Sequence, residues 1–240
     1  MQLLELNSVS KSYGALKVTD DLSFSLKKGE ALGIIGPNGA GKTTLFNLVT
    51  GNVRPDAGTV MFNGRDVTSV SASVRCHLGM GRSYQVPHPF GGMTVFENVL
   101  VGATFGAGHS EHEGTPVALD ALKRTGLLAK ANRLAGSLPL LDRKRLELAR
   151  ALATQPDLLL LDEIAGGLTE HEVAALIESI QAIRADGTSI IWIEHIVHAL
   201  VAVVDRLLVI NFGRLLMQGE PTQVMASPEV QEIYLGMAIE

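Results

Sequence analysis

Apolar residues follow two different patterns along this chain. Leu3–Val9 and Leu22–Leu26 alternate apolar with polar positions, which predicts strands with one buried face, the first of them at the edge of a sheet. Ala31–Ile35, Leu158–Leu161 and Ser189–Ile193 are instead continuously apolar, as expected of strands that are buried on both faces. The chain therefore combines an antiparallel β part near its start with a second, largely parallel sheet.

The middle of the chain shows helical spacing and few strand signals. Val117–Arg124 and Leu146–Ala153 repeat apolar residues at helical intervals, which predicts two helices. Gly102–Gly114 contains several Gly, His and Glu residues together with a Ser, and this composition predicts a mobile loop. Together these features indicate a helical part of the chain between residues 87 and 150.

Helices also separate the later apolar strands. His171–Ala185 is amphipathic and lies between two of them, and strands that alternate with helices in this way form parallel sheets covered on both faces. We predict one α/β domain spanning residues 1–240, in which residues 87–150 are a helical insertion. Residues 1–86 and 151–240 then form the core together with its antiparallel β part.

Composition narrows the class of protein. The 240 residues include 25 acidic and 20 basic ones, which gives a net charge of −5, and 46% are hydrophobic. The high hydrophobicity excludes intrinsic disorder, and the acidic balance argues against a nucleic-acid partner. A single cysteine, Cys76, excludes an internal disulfide framework. No apolar run reaches about 18 residues and Met1–Leu6 lacks the features of a signal peptide, so we expect a cytoplasmic protein.

The first buried strand is followed by a glycine-rich loop with the spacing G-x-x-x-x-G-K-[ST], and then by a helical stretch. Glycines let backbone N–H groups turn around a phosphate, and the helix N-terminus adds the positive end of its dipole. The lysine of this motif reaches the β- and γ-phosphates, and its hydroxyl residue is a ligand for Mg²⁺. The residues predicted to bind nucleotide phosphates here are Gly36, Pro37, Asn38, Gly39, Ala40, Gly41, Lys42, Thr43 and Thr44.

Acidic and imidazole side chains follow two later strands. Asp162 and Glu163 end the aliphatic run Leu158–Leu161, at the strand end where open α/β sheets bind ligands. We expect Asp162 to hold Mg²⁺ through water and Glu163 to polarise the attacking water. His195 follows the strand Ser189–Ile193, where an imidazole can bind a γ-phosphate and respond to its loss.

These motifs resemble the ATPase subunits of ABC transporters, and the resemblance covers essentially the whole chain. It implies a P-loop NTPase core of the RecA-like type, with an N-terminal antiparallel β subdomain and an inserted α-helical subdomain. It also implies that Tyr13 stacks on adenine beside Val18, and that Gln85 contacts Mg²⁺ and the attacking water. Asp162, Glu163 and His195 match the Mg²⁺-binding acid, the catalytic glutamate and the switch histidine. Gly166-Gly167-Leu168 matches the loop that contacts the opposite subunit.

One segment departs from this family. The signature, usually Leu-Ser-Gly-Gly-Gln, offers a hydroxyl and glycine amides to the γ-phosphate bound by a second subunit. The matching residues here are Leu138, Pro139, Leu140, Leu141 and Asp142. Proline has neither a hydroxyl nor an N–H, and leucines occupy space that glycine leaves open. A positive charge from Arg143 or Lys144, which follow, is one possible compensation.

Further segments resemble a subfamily, the ATPase subunits of importers for branched-chain amino acids and their urea and amide relatives. These segments are Phe90, Met93–Asn98, Arg143–Arg150 and Ser227–Gly236. The resemblance implies ATP and Mg²⁺ as cofactors, and a position on the inner face of the cell membrane. The implied partners are integral-membrane permease subunits, a second ATPase subunit and, indirectly, an extracytoplasmic solute-binding protein. Because of the degenerate signature, we predict that the second ATPase subunit is a different chain with an intact signature.

A soluble ABC-type ATPase, a P-loop kinase and a GTPase are the alternatives to an importer subunit. A soluble ABC-type ATPase of nucleic-acid repair or translation usually has coiled-coil insertions or two tandem cassettes, and neither is visible in this sequence. A P-loop kinase would need a lid that binds the phosphate acceptor. A GTPase would need the guanine-reading sequence Asn-Lys-x-Asp, which the chain lacks.

Overall fold

The computed structural model describes residues 1–236 of the chain. Its strands are β1 (Gln2–Tyr13), β2 (Leu16–Lys27), β3 (Ala31–Ile35), β4 (Ala57–Phe62), β5 (Arg65–Asp66), β6 (Met80–Arg82), β7 (Leu158–Asp162), β8 (Ser189–Ile193), β9 (Arg206–Asn211) and β10 (Arg214–Gly219). Its α-helices are α1 (Lys42–Thr50), α2 (Ala72–His77), α3 (Val95–Val101), α4 (Glu111–Arg124), α5 (Leu140–Leu152), α6 (Glu170–Ala185), α7 (Val197–Val201), α8 (Pro221–Ala226) and α9 (Pro228–Gly236). The α/β class and the alternation of strands with helices are as the apolar patterns predict.

Two compact units can be distinguished by their internal contacts. One consists of Met1–Ala72 together with the chain from Ile191 onwards, and the other of Ser73–Ile190. The strand β8 is divided between them after Ile190. These units do not test the predicted division into a core and a helical insertion, which stays a prediction.

The first unit contains an antiparallel sheet with the strand order β2-β1-β4-β5. Leu4 is opposite Leu26 on one side and Phe62 on the other, and all three side chains are buried. Cross-strand rows of this kind give the sheet its apolar face. The prediction that β1 is an edge strand is wrong, because β1 pairs with neighbours on both sides. Alternation of apolar and polar residues indicates that one face of the strand is buried, but it does not indicate whether the strand lies at the edge of its sheet.

The first unit also contains strands in the order β10-β9-β3, followed by the part of β8 that begins at Ile191. β3 and β9 are parallel, with Ile34 opposite Leu208, whereas β9 and β10 form an antiparallel hairpin. Every residue of β3 is buried, which fits its continuously apolar sequence. The loop after β3 leads directly into α1, so the strand end fixes where the glycine-rich segment lies.

In the second unit, β6 and β7 are parallel neighbours, and Gly81 is opposite Leu159. All five residues of β7 are buried, including its last residue, Asp162. The helices α3 to α6 belong to this unit, and α5 precedes β7 in the chain. This arrangement places the carboxyl end of β7 and the segment after β6 at the same edge of the pair.

The interior of the predicted loop 102–114 is largely helical. A π-helix covers Gly102–Gly106, and α4 begins at Glu111. The hydroxyl of Ser110 accepts the backbone N–H of Glu113, whose carboxylate accepts the N–H of Ser110. This capping box starts the helix, so the polar cluster is a helix N-terminus and the prediction of a mobile loop is wrong. None of the helices within residues 1–236 combines the length and apolar character needed to cross a membrane.

Candidate functional site

The loop between β3 and α1 is built around glycines that a larger residue could not replace. A β-carbon placed on Gly36 would lie 2.2 Å from the carbonyl oxygen of Ile210. A β-carbon on Gly41 would lie 2.5 Å from the carbonyl oxygen of Val18, and Gly41 has a φ of 99°. Close backbone packing therefore shapes this loop, and α1 begins at the next residue.

Lys42 is the first residue of α1 and only 6% exposed. Its Nζ donates to the carbonyl oxygen of Gly36 at 2.7 Å and to that of Pro37 at 3.0 Å. The ammonium group therefore lies within the curve of the loop, beside the helix N-terminus, and both features favour an anion there. Thr43 is exposed and Thr44 is half-buried in the same first turn.

Two further segments hold this loop. The backbone N–H of Gly213, in the turn between β9 and β10, donates to the carbonyl of Ala40 at 3.0 Å. The carbonyl of Gly213 in turn accepts the N–H of Asp20 at 2.8 Å. Val18, predicted to lie beside the nucleotide, is brought against Gly41. The sequence shows a turn at Asn211-Phe212-Gly213, but its contact with the loop involves residues too far apart in the chain to be inferred.

Tyr13 ends β1 as a half-exposed aromatic side chain. The Nζ of Lys11 lies 5.6 Å from the centre of its ring, and this lysine also pairs with Asp56 at 2.6 Å. The exposed ring presents a surface on which a base can stack. The position agrees with the predicted role without testing it.

Asp162 ends β7 with its side chain 7% exposed. Arg82, the last residue of β6, lies 2.6 Å from its carboxylate and also covers the ring of Tyr84 at 4.8 Å. A buried carboxylate needs such a partner, since an unpaired buried charge is costly. Sequence reasoning missed Arg82, because the only signal was its place three residues before Gln85.

Glu163 and Gln85 are brought together in the second unit. The Nε2 of Gln85 donates to Oε2 of Glu163 at 2.6 Å. Glu163 also has a φ of 45°, in the left-handed region that costs a non-glycine residue about 1–3 kcal/mol. Strained backbone of this kind is typical of sites where a side chain must be aimed at a fixed point.

His195 follows β8 with an exposed side chain. Its backbone N–H donates to Oε1 of the buried Glu194 at 3.0 Å, which fixes the chain at this strand end. His195 belongs to the same unit as the glycine-rich loop, whereas Gln85, Asp162 and Glu163 belong to the other.

The degenerate signature forms the start of α5. Pro139 is the N-cap and provides no side-chain hydrogen bond to the first turn. Leu138 is buried, but Leu140 is 43% exposed and its Cδ2 would lie 3.3 Å from a β-carbon on Gly167. Asp142 is 3% exposed, and its Oδ2 accepts a hydrogen bond from Lys130 at 2.5 Å. The first turn of α5 therefore presents leucine side chains where the usual signature has glycines.

The basic residues after this segment have partners within the second unit. Arg143 donates to the carbonyl oxygens of Leu138 and Gly136, at 2.8 and 3.1 Å. Lys144 is buried and donates to the carbonyl oxygen of Gln85 at 2.5 Å.

Further along α5, burial raises the pKa of Glu147, against the charge of Arg150. Arg143, Lys144 and Arg150 therefore all have partners within their own unit, although a positive charge from this helix would have to replace the missing signature donors.

The donor set predicted for a metal consists of a hydroxyl, a carboxylate and an amide oxygen, on Thr43, Asp162 and Gln85. Oxygen donors of this type suit Mg²⁺, which prefers a carboxylate or two together with water and phosphate oxygens. Among the described residues there is no cluster of three or more His, Cys, Asp or Glu side chains that would hold a metal alone. Taken one by one, these side chains are of the type that suits a cation bound together with nucleotide phosphates.

Comparison with known proteins identifies several relatives. The profile of the ABC transporter family matches residues 19–166. The chain is 36% identical to the high-affinity branched-chain amino acid transport ATP-binding protein LivG of Salmonella typhimurium, over 98% of both chains. It is 33% identical to the corresponding protein BraF of Pseudomonas aeruginosa, again over 98% of both. It is also 34% identical to the lipopolysaccharide export system ATP-binding protein LptB of Acidithiobacillus ferridurans, over 98% of this chain and 97% of that one.

Solved structures of ATP-binding cassettes also resemble this chain. A nucleotide-free ATP-binding cassette from an ABC transporter superposes with a TM-score of 0.90 and 31% identity, covering 98% of this chain and 99% of the other. An ATP-binding cassette in its ADP conformation superposes equally well, with a TM-score of 0.90 and 32% identity over the same shares of the two chains. The nucleotide-binding cassette fold therefore extends over almost the whole chain.

Proposed function

This chain belongs to the ABC transporter family of ATP-binding proteins, and we propose that it binds and hydrolyses ATP to power an importer. The observation that carries the proposal is the loop between β3 and α1, which is closely packed at Gly36 and Gly41 and holds the ammonium of the buried Lys42 through two of its carbonyls. A loop of this kind is specific for the phosphates of a nucleotide. The family membership supports ATP as that nucleotide.

The nucleotide is proposed to lie along the first unit. Tyr13 stacks on the base beside Val18, and the residues from Gly36 to Thr44 bind the phosphates, with Lys42 as the main charge partner. Mg²⁺, when bound with ATP, neutralises phosphate charge. Thr43, Gln85 and, through water, Asp162 are the residues that would hold it.

Hydrolysis is proposed to depend on three side chains. Glu163 accepts a proton from the attacking water, Gln85 orients that water, and His195 binds the γ-phosphate and responds to its release. The hydrogen bond of 2.6 Å between Gln85 and Glu163 supports a shared role for these two residues.

The proposed cargo is a branched-chain amino acid or a related small polar solute such as urea or an amide. The similarity to LivG and BraF supports this choice, since both are described as branched-chain amino acid transport proteins. The similarity to LptB, an export protein, makes the direction of transport a point to test. A soluble ABC-type ATPase that is not coupled to transport is the alternative function.

The proposed partners follow from this role. Integral-membrane permease subunits would hold the chain on the inner face of the cell membrane, and a solute-binding protein would act on the permease from the other side. A second ATPase subunit would complete the nucleotide sites, each of which pairs one chain's phosphate loop with the other chain's signature.

We propose that this second ATPase subunit is a different chain with an intact signature. The start of α5 supports this, because Pro139 caps nothing, Leu140 is exposed and Asp142 is paired with Lys130. Arg143 and Lys144 are engaged with backbone carbonyls of their own chain. A homodimer in which the backbone amides of Leu140 and Leu141 do the work of the signature is the alternative assembly.

Purification of the chain from membranes of cells that express it at its natural level tests the proposed function. We expect permease subunits and a second ATPase subunit among the proteins that co-purify. In vesicles, ATP hydrolysis by this complex should rise when a binding protein loaded with its solute is added. Co-purification with nucleic acid or with soluble proteins alone would favour the uncoupled ATPase.

A further inference from the structure

A buried lysine joins α5 to the two residues proposed to activate water. Lys144 is 4% exposed, and its Nζ donates to the carbonyl oxygen of Gln85 at 2.5 Å. The same Nζ lies 3.4 Å from the carbonyl oxygen of Glu163. An ammonium group has three donors, so one atom can hold both carbonyls at once.

The side chains of the two residues that Lys144 holds are also bonded to each other. Gln85 Nε2 donates to Glu163 Oε2 at 2.6 Å, so the lysine binds the main chain of both residues and the amide joins their side chains. The backbone of Glu163 is in the left-handed region, with a φ of 45°. Such a conformation persists only where surrounding contacts hold it, and the hydrogen bond from Lys144 to the Glu163 carbonyl is one of them.

The burial of Lys144 strengthens this reading. A buried ammonium is expensive unless hydrogen bonds replace its water, and an apolar side chain of similar length would fill the same space without that cost. A second cation on α5 shows the contrast, because Arg150 is half-buried and donates to the carbonyl of His88 at 3.0 Å and to the carboxylate of Glu147 at 3.2 Å. The two residues differ in which carbonyl they hold.

We propose that Lys144 is a positioning residue that fixes Gln85 and Glu163 in the geometry needed for hydrolysis and ties that geometry to the start of α5. The inference rests on the proposed ATPase function. Because α5 begins with the degenerate signature, Lys144 provides a direct mechanical link from the segment that would face the partner subunit to the proposed water-activating pair of this chain.

Replacement of Lys144 by methionine tests this in the membrane-purified complex. Lys144→Met keeps most of the side-chain volume and removes the donors. We expect kcat to fall about tenfold to a hundredfold, as is typical when a reacting group is misplaced by about 1 Å. KM for ATP and the Kd of the full chain for ATP should stay within about threefold, because Lys144 is not part of the phosphate loop. Arg150→Met is the matched control and should keep kcat near the wild-type value.

Two additional variants separate positioning from folding. Lys144→Arg retains a charged donor and should recover more of kcat than Lys144→Met, although both remove the original side chain. Lys144→Met should also lower kcat far less in a Glu163→Gln background than in the wild type. The reason is that the carboxylate positioned by Lys144 is already absent in that background. If Lys144→Met does not fold, Lys144→Gln takes its place with the same expected loss of kcat.

Several results would overturn the proposal. Equal losses of kcat in Lys144→Met and Arg150→Met, or a loss confined to KM and Kd, would show that Lys144 has only a structural or binding role. Full additivity with Glu163→Gln would do the same. Hydrolysis in the wild-type complex together with any of these results leaves the proposed function intact, whereas no hydrolysis in the wild type contradicts both.

Discussion

Two helix starts in this molecule are proposed to meet nucleotide phosphates, and they are built in opposite ways. At the start of α1, glycines allow other backbone segments to approach closely, and the ammonium of Lys42 donates to a carbonyl of its own loop. At the start of α5, a proline and two leucines take the places of a hydroxyl and glycines. The first segment can bind phosphate from its own residues, whereas the second offers only its helix dipole and backbone amides.

The charged side chains near the starts of α1 and α5 also differ. Lys42 donates to carbonyls of its own loop, whereas Asp142 is paired with Lys130 and Lys144 donates to the carbonyl oxygen of Gln85. We therefore propose that this chain contributes one complete half-site and one weak half-site. We therefore predict a pair with a different chain and two unequal sites, of which the efficient one combines this chain's phosphate loop with the partner's intact signature.

The largest expected effect comes from Glu163, which is proposed to polarise the attacking water. Glu163→Gln keeps the shape and removes the carboxylate that polarises water, so hydrolysis at this site should fall by about 10²–10⁴. ATP should still bind, and ATP-bound pairs should accumulate on size-exclusion chromatography. Glu170→Gln, an exposed carboxylate in the first turn of α6, is the control. Failure of Glu163→Gln to bind ATP would indicate a structural role for this residue.

Lys42 should give the next largest effect. Lys42→Ala removes the charge partner of the phosphates, a contact expected to contribute about 1.5–3 kcal/mol. ATP binding or turnover should therefore fall at least about tenfold. Lys123→Ala removes an exposed lysine of α4 and should leave both unchanged. Near-normal hydrolysis in Lys42→Ala would remove the phosphate loop from the site, unless the partner's loop carries all the turnover.

The difference between the two helix starts also marks what could be predicted from the sequence. The strand, loop and helix from Ala31 to Thr50 are consecutive, and glycine spacing alone identifies their geometry and chemistry. The contacts of Arg82 with Asp162 and of Lys144 with Gln85 join residues 80 and 59 positions apart. No local pattern reports such contacts, because they depend on which strand ends and helices meet in the fold.

Residue composition gives a wrong prediction where a local motif decides the structure. Gly102–Gly114 looks like a loop by residue content, yet Ser110 and Glu113 form a capping box that starts α4. The departure of Leu138–Asp142 from the family signature is visible in the sequence. Its consequence depends on details that the sequence does not carry, such as the exposure of Leu140 and the pairing of Asp142.

Repair of the start of α5 should have a smaller effect, which is a gain in the ATPase rate. The combined change Pro139→Ser, Leu140→Gly and Leu141→Gly restores a hydroxyl and removes the side chains that block approach. One preorganised donor contributes roughly 2.7–4 kcal/mol to a transition state, but two glycines weaken the helix start by about 1 kcal/mol each. We therefore expect the chain alone to gain several-fold in ATPase rate. No gain, with the variant folded and binding ATP, would mean that the wild-type segment already does the work of the signature.

The smallest expected effect concerns the stability of α5. Burial raises the pKa of Glu147, so the folded state favours its protonated form. Its contribution to stability is therefore greatest below the pKa of the unfolded chain and is lost as the pH rises through the folded value. Glu147→Gln lacks this loss. Its melting temperature relative to the wild type should rise between pH 4 and pH 7, by an amount on the order of 2 °C. A difference that is constant across this range would contradict the assignment.

We propose that this chain is complete in its phosphate loop and incomplete in its signature, so that it depends on a different ATPase subunit. The most direct test is to purify the chain alone and measure its ATPase rate over a wide range of concentrations. We predict negligible turnover at every concentration, and brisk turnover once a second ATPase subunit with an intact signature is added. Brisk turnover by the chain alone, rising with its self-association, would contradict the account.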